Sequence, residues 1–260
     1  MRLDPAAAAA GVRLIARATV GSTNAEALAL ARAGERGPLW IVATQQSAGR
    51  GRRGRQWISE PGNLYATLLL SDVASPSDVA QLSFVSALAI HDTLAALSPE
   101  LRPRLSLKWP NDVLCDGNKI CGILLEGESA ATGGVTVAVG IGVNCAHHPR
   151  DMAFPAANLT ELGFAASPDN VFQSLSGAMV RRLDQWQRGV GFAAIRADWL
   201  TRAAGIGQAI RVRLHDRDMI GIFEALDERG HLVVRRTDGT LETIAAGDVF
   251  PISAMPAEHV

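Results

Sequence analysis

The run LSLKWPNDVLCDGNKICGILLE, Leu105 to Glu126, most restricts what this chain folds into. It reads as strand, turn, strand, turn, strand. Pro110 holds Trp109 extended, and Asn111-Asp112 favours a turn. Strands joined this tightly lie antiparallel, because a parallel pair needs a long crossover. Just beyond it, GGVTVAVGIGVN sets Val135, Val137, Val139, Ile141 and Val143 at alternate positions, the period-2 pattern of a central strand. LWIVATQQ (39–46) and NLYATLLL (63–70) supply two more strands.

Helices punctuate this sheet. Thr23 and Glu26 have capping-box spacing for a helix to about Ala33, with Gly34 as its stop. Ser75-Pro76 opens a long helix with Leu82, Val85, Ala89 and Thr93 or Leu94 on its apolar face. Ser167-Pro168 opens another, with Val171, Leu175, Met179, Leu183 and Trp186 at helical spacing, and a further helix covers Phe192 to Thr201. After about Gly207 the texture changes to the short strands AIRVRL, MIGIFEAL, HLVVRR and LETIAA, split by turns at Asp227 to Gly230 and Asp238-Gly239. That spacing suggests a small β-barrel. The expectation is an α+β fold: helices against a mixed, largely antiparallel sheet over residues 1–206, then a small all-β domain over 207–260.

Apolar residues make up 48% of the chain and charged ones 20%, an ordinary globular balance rather than a disordered one. The net charge of −1 gives no global push toward nucleic acid. Cys115, Cys121 and Cys145 are odd in number and form no C-x-x-C pair, which disfavours a disulfide framework or a zinc site and suits buried, reduced thiols. The start, MRLDPAAAAAG, lacks the apolarity of a signal peptide, and no apolar stretch approaches the roughly 20 residues of a membrane span. A soluble, cytoplasmic protein is expected.

AGRGRRGRQW, Ala48 to Trp57, concentrates Arg50, Arg52, Arg53 and Arg55 among Gly49, Gly51 and Gly54. Glycine lets backbone N–H groups line an anion nest. Arginine adds planar forks for carboxylate or phosphate. The even interleaving favours a loop that wraps a compact anion; a nucleic-acid contact and a plain basic surface loop are the alternatives. Trp57 either stacks on a planar base or anchors the loop in the core.

Three further segments carry polar chemistry. Lys108, before the rigid KWPND corner, is either an edge-strand lysine facing water or a semi-buried cation awaiting an anion. Asp112 reads as a turn residue. GIGVN (140–144) offers two glycines for close approach and Asn144 at a strand end, without the helix start of a dinucleotide fingerprint. Ser22, Thr23 and Asn24 suit a helix cap that also presents hydroxyls. His147-His148 reads as loop, and Glu126 and Glu128 as solvent-facing.

Together, STN (22–24), Q-x-A-G-R-G-R-R-G-R-x-W (46–57), KWPND, KICGILLE (119–126) and VGIGVN (139–144) resemble, in order, the bacterial biotin protein ligases. The resemblance runs from about Val20 to Ile252. It implies a catalytic domain similar to class II aminoacyl-tRNA synthetases, then an SH3-like barrel. It also implies two steps: biotin and ATP, with Mg²⁺, give biotinyl-5′-AMP, and a lysine of a biotin carboxyl carrier protein, that of acetyl-CoA carboxylase, then takes the biotin. By the same matching, Ser22, Thr23, Asn24 and Gln46 hold the ureido ring, and Gly49, Gly51 and Gly140 let backbone reach the ligand. Lys108 is the principal catalytic residue, with Arg52 the second. Arg50 and Arg52 contact the ligand, Arg53 and Arg55 complete the loop over the adenylate, Trp57 packs on adenine, and Asn144 lies by the phosphates or Mg²⁺. Gly21 stands where the family commonly has Asp. About twenty residues precede STN, too few for a helix-turn-helix, so a ligase without operator binding is expected. The resemblance allows monomer or homodimer. A lipoate or octanoyl transferase of similar fold is the alternative enzyme, and a nucleic-acid-binding module the alternative outside enzymes.

Overall fold

The computed structural model describes residues 1–73, 76–129, 134–150, 154–164 and 166–252. The chain opens with a short helix α1 (Pro5–Ala9), strand β1 (Arg13–Val20), helix α2 (Thr23–Arg32) and strands β2 (Leu39–Gln46) and β3 (Leu64–Val73). Helices α3 (Pro76–Val79) and α4 (Leu82–Leu97) lead to β4 (Leu105–Lys108), β5 (Asp112–Cys115), β6 (Asn118–Ser129) and β7 (Val135–Val143). Helices α5 (Pro168–Trp186) and α6 (Phe192–Leu200) follow. Strands β8 (Ala209–Arg213), β9 (Asp218–Leu226), β10 (Leu232–Arg235), β11 (Leu241–Ile244) and β12 (Asp248–Pro251) end the described chain.

Seven strands form one sheet in the order β1-β2-β3-β7-β6-β5-β4. The β1–β2 pair is parallel and its other pairs are antiparallel. The mixed, largely antiparallel sheet expected from the sequence is present, with β7 at its centre. The tight β5–β6 hairpin turns through Asp116 (φ 48°) and Gly117 (φ 76°), the positive-φ pair that a two-residue turn demands.

The period-2 pattern of β7 explains both faces of the sheet. Val137, Val139, Ile141 and Val143 join the core formed with α4, α5 and α6. Ala138 turns the other way, into a smaller cluster with Ala27 and Leu28 of α2. Gly140 and Gly142 share that second face further along the strand. So α4, α5 and α6 pack against one face, while α2 covers only part of the other. Helix α4 is buried nearly all round between the sheet and its neighbours, down to Ser83, Ser86 and His91.

The small domain is a five-stranded antiparallel sheet in the order β11-β10-β9-β8-β12. Its β9–β10 turn reaches the main sheet, where Trp109 Nε1 donates to the Gly230 carbonyl at 3.0 Å. Arg196 of α6 adds a bond to the Leu226 carbonyl.

Several local expectations need correction. Ser22, not Thr23, caps α2 and accepts from the Ala25 N–H, because the Thr23 hydroxyl is drawn to Gln46. The single long helix is two: α3 stops at Val79 and α4 starts at Leu82, where Ser83 and Phe84 bond back three residues in a tight turn. Ser75, expected to open it, lies outside the described residues. Strand β1 lacks a clean alternation because it is a mostly exposed sheet edge, and neither it nor α1 nor β12 was signalled. Among the described residues, no helix is long and apolar enough to cross a membrane.

All three cysteines are buried and free. Burial pushes their thiols up, that of Cys145 to about 12. In a thiol-labelling assay at pH 8, none of the three should react in the native protein, and all three should react once denaturant unfolds it.

Candidate active site

The part of the sheet that α2 leaves open is a cleft. Its floor is glycine: Gly122 of β6 pairs directly with Gly142 of β7. A Cβ built on Gly142 would come within 2.7 Å of the Trp57 indole, and one on Gly122 within 2.9 Å. The absent side chains therefore form a flat shelf on which Trp57 rests. Gly140 does the same for Asn24, whose Oδ1 would lie 2.3 Å from an added Cβ.

One wall is a wired polar chain at the start of α2. Gln46 Oε1 accepts from the Thr23 N–H at 2.8 Å and lies 3.0 Å from its hydroxyl. Gln46 Nε2 donates to Ser59 Oγ at 2.8 Å. Thr67 Oγ1 stands 2.8 Å from Thr23 Oγ1 and 2.7 Å from Asn24 Oδ1, so its single proton serves one of them at a time. Asn24 Nδ2 donates to Glu126 at 2.8 Å. Such mutual bonds hold the wall in shape before any ligand touches it.

The opposite end holds the charge. Lys108 ends an edge strand yet is buried: its ammonium lies 2.8 Å from Asp112 and 4.5 Å from the Phe154 ring centroid. This rejects the water-facing reading. Lys119 reaches the other oxygen of Asp112 at 2.6 Å and lies near the Trp57 ring. Asp112 is thus no simple turn residue; one buried carboxylate bridges two ammonium groups. Burial pushes the Asp112 carboxyl up, but Lys108 and Lys119 outweigh that and hold it well below the usual carboxylate range. The cluster keeps one net positive charge beside the glycine shelf.

The arginine loop crosses above. It turns through Arg53 (φ 55°) and Gly54 (φ 70°). Arg52 donates to Asn111 Oδ1 at 3.0 Å and to the Gly247 carbonyl at 3.1 Å. Arg55 Nη2 donates to both carboxylate oxygens of Asp248 on β12, at 3.1 and 2.9 Å, while Arg52 and Arg53 pair with the same residue at 3.7 and 3.4 Å. Burial pushes the Arg52 guanidinium down, an effect offset in part by Asp248 and Asp112. Arg50 turns away from this group and pairs with Glu126.

Most residues singled out in the sequence converge here. Ser22, Thr23, Asn24 and Gln46 line the cleft. So do Arg50, Gly51, Arg52 and Arg55 of the loop, together with Trp57, Lys108, Gly140 and Asn144. Gly49 and Arg53 do not. Gly49 packs within its own loop, where a Cβ would meet the Trp57 carbonyl at 2.4 Å. Asn144 spends its amide nitrogen on the Lys119 and Ala157 carbonyls. Glu128 faces solvent as expected, paired with exposed Arg32, but Glu126 is turned inward and binds Asn24 and Arg50. Lys119 and Asp248 escaped notice in the sequence. Lys119 follows a turn and looked ordinary, and Asp248 lies 193 residues from the arginine it grips.

Comparison with known proteins gives this arrangement its class. The Biotin/lipoate A/B protein ligase family profile matches residues 19–144, and the Biotin protein ligase C terminal domain profile matches 205–250. The biotin–[acetyl-CoA-carboxylase] ligase of Paracoccus denitrificans is 44% identical over 243 residues, covering 90% of this chain and 98% of that protein. Its counterpart in Mycobacterium tuberculosis is 34% identical, over 89% of this chain and 86% of that protein. The biotin protein ligase of Aquifex aeolicus, solved in complex with biotin and ATP, superposes with a TM-score of 0.76 at 26% identity, over 92% of this chain and 97% of that one. The chain belongs to the biotin protein ligase family.

Two outcomes are expected of this geometry. Gly142→Ala should cost about 1–3 kcal/mol in urea unfolding, because the added methyl overpacks the Trp57 shelf. The second concerns acid. A carboxyl whose folded pKa is depressed contributes its full stability above the unfolded value, about 4, and loses it as pH falls further. Native stability should therefore fall below about pH 4, and Asp112→Asn should flatten that fall in urea titrations at successive pH values.

Proposed function

We propose that the cleft carries out ATP-dependent biotinylation in two steps. A carboxylate oxygen of biotin attacks the α-phosphorus of ATP, forming biotinyl-5′-AMP and releasing pyrophosphate. The ε-amine of a lysine on a biotin carboxyl carrier protein then attacks the acyl carbon, giving an amide, AMP and a proton. The observation that carries this reading is the lysine pair: two ammonium groups on one buried carboxylate, beside a glycine shelf and under an arginine loop. Two anions must meet in the first step, and fixed positive charge offsets their repulsion without reorganising.

The roles follow from position. Ser22, Thr23, Asn24 and Gln46 read the ureido ring, whose polar atoms satisfy a wall already aligned for them. A ligand without those atoms leaves buried partners unpaired and is rejected. Lys108 and Lys119 face the reacting carboxylate and α-phosphate, with Lys119 the more exposed of the two. Arg50, Gly51, Arg52 and Arg55 cover the adenylate and keep water from the anhydride. Arg53 helps hold the loop to Asp248. Trp57, resting on Gly122 and Gly142, presents a face to adenine. Gly49 and Gly140 act as spacers for Trp57 and Asn24 rather than as ligand contacts. Mg²⁺ enters with the triphosphate. Among the described residues the cleft offers no cage for it, since Asp112 is engaged by two lysines and Asn144 has only its Oδ1 to give. Residues 1–206 form the catalytic domain and 207–260 the small one, a division supported by the two separate sheets. The carrier is that of acetyl-CoA carboxylase and the compartment the cytoplasm, a reading supported by the names of the relatives and three unpaired thiols.

Exchange of labelled pyrophosphate into ATP tests the first step. It should depend on biotin and not occur with lipoate. Lys108→Ala and Lys119→Ala should each slow it by at least about 10²-fold, the usual loss of one preorganised charge or donor. Exchange driven by lipoate alone would replace the substrate. Near wild-type exchange in both lysine variants would remove the lysine pair from the mechanism.

A further inference from the structure

Glu126 stands two residue pairs beyond Leu124 and Gly140 of the cleft, on β6 opposite Ala138 of β7. It does not line the cleft, yet its carboxylate touches both functional halves. Oε2 accepts from Asn24 Nδ2 at 2.8 Å. Arg50 Nη2 lies 3.2 Å from Oε1 and 3.3 Å from Oε2. Asn24 is almost fully buried, and its own Oδ1 is tied through Thr67 to Thr23 and Gln46. A half-exposed arginine–glutamate pair alone contributes little. Here, however, one of its members is oriented by a buried amide belonging to the ureido-reading wall.

We propose that Glu126 is a positioning residue that couples occupancy of the polar wall to seating of the arginine loop. The inference rests on the reading of that wall as the biotin-ring site and of the loop as the phosphate clamp. Asn24 Nδ2 already points at Glu126, and a biotin ring bound against Asn24 restricts it further to that orientation. The carboxylate is then held where Arg50 finds it, and Arg50 brings down the loop that also carries Arg52 and Arg55. The converse holds equally. A nucleotide that draws the loop down holds Arg50 on Glu126, which in turn holds Asn24 in its reading orientation. Coupling between two sites is reciprocal by thermodynamic necessity, so each ligand tightens the other by the same factor. The path runs from Ser59 through Gln46, Thr23, Thr67, Asn24 and Glu126 to Arg50; it is unbroken when the Thr23 N–H serves Gln46, the Thr23 hydroxyl donates to Thr67 Oγ1 and the Thr67 proton goes to Asn24 Oδ1.

Titration calorimetry on the full chain reads this factor directly. The probes are biotin and α,β-methylene-ATP, a pair that binds without forming the adenylate. In the wild type, saturating biotin should tighten the nucleotide analogue by roughly 5–150-fold, and the analogue should tighten biotin by the same ratio. Glu126→Gln keeps the size and an acceptor but loses the charge that holds Arg50. Its ratio should fall to within about twofold of unity. Glu126→Asp keeps the charge but draws it back by one methylene, and should show an intermediate ratio. A residue that merely shaped the wall would weaken both affinities and leave the ratio intact. An unchanged ratio in Glu126→Gln, or no coupling in the wild type, would overturn the inference. Failure of the wild type to bind either probe would instead overturn the reading of the cleft itself.

Discussion

Asp112 is the interaction on which the site depends. A buried carboxylate alone is costly, and so is a buried ammonium. Between Lys108 and Lys119 the two costs offset each other and leave charge to spare. The arrangement needs a strand end, a sharp corner and the next strand's start within reach of one another. The KWPND corner and the Asp116-Gly117 hairpin deliver this in a dozen residues of chain. The glycine shelf is the second half of the same device. It lets Trp57 lie flat against the sheet, so the arginine loop sits low over the lysines.

The small C-terminal sheet belongs to this machinery. Asp248 supplies the counter-charge for Arg52, Arg53 and Arg55, which would otherwise repel one another across a few residues of loop. Trp109, inside the KWPND corner, is pinned to the turn at Gly230. The corner that sets the lysines and the loop that covers them are thus both tied to the same small domain.

Much of this was legible in the sequence where the signal is local. The valine alternation of β7 and the strand–turn–strand run of 105–126 fixed the centre of the sheet, because side-chain period and turn chemistry are properties of neighbouring residues. The arginine loop and KWPND were legible as chemistry for the same reason. Tertiary partnerships were not. Ser22 and Thr23 cap equally well in isolation, and only Gln46 on another strand decides between them. Lys119 gains its meaning from Asp112 across a hairpin, and Glu126 from Asn24 about a hundred residues away. Gly49 and Gly140 are legible as close-approach positions, but that the protein's own Trp57 backbone and Asn24 approach them is not.

The placement of Trp57 has an optical consequence. The chain has five tryptophans. Trp40, Trp109, Trp186 and Trp199 are sealed in the interior and will emit as a constant background. Trp57 alone stands at the cleft, partly open to water and within range of the Lys119 ammonium. Its indole is therefore the intrinsic, label-free chromophore placed to report what happens on the glycine shelf.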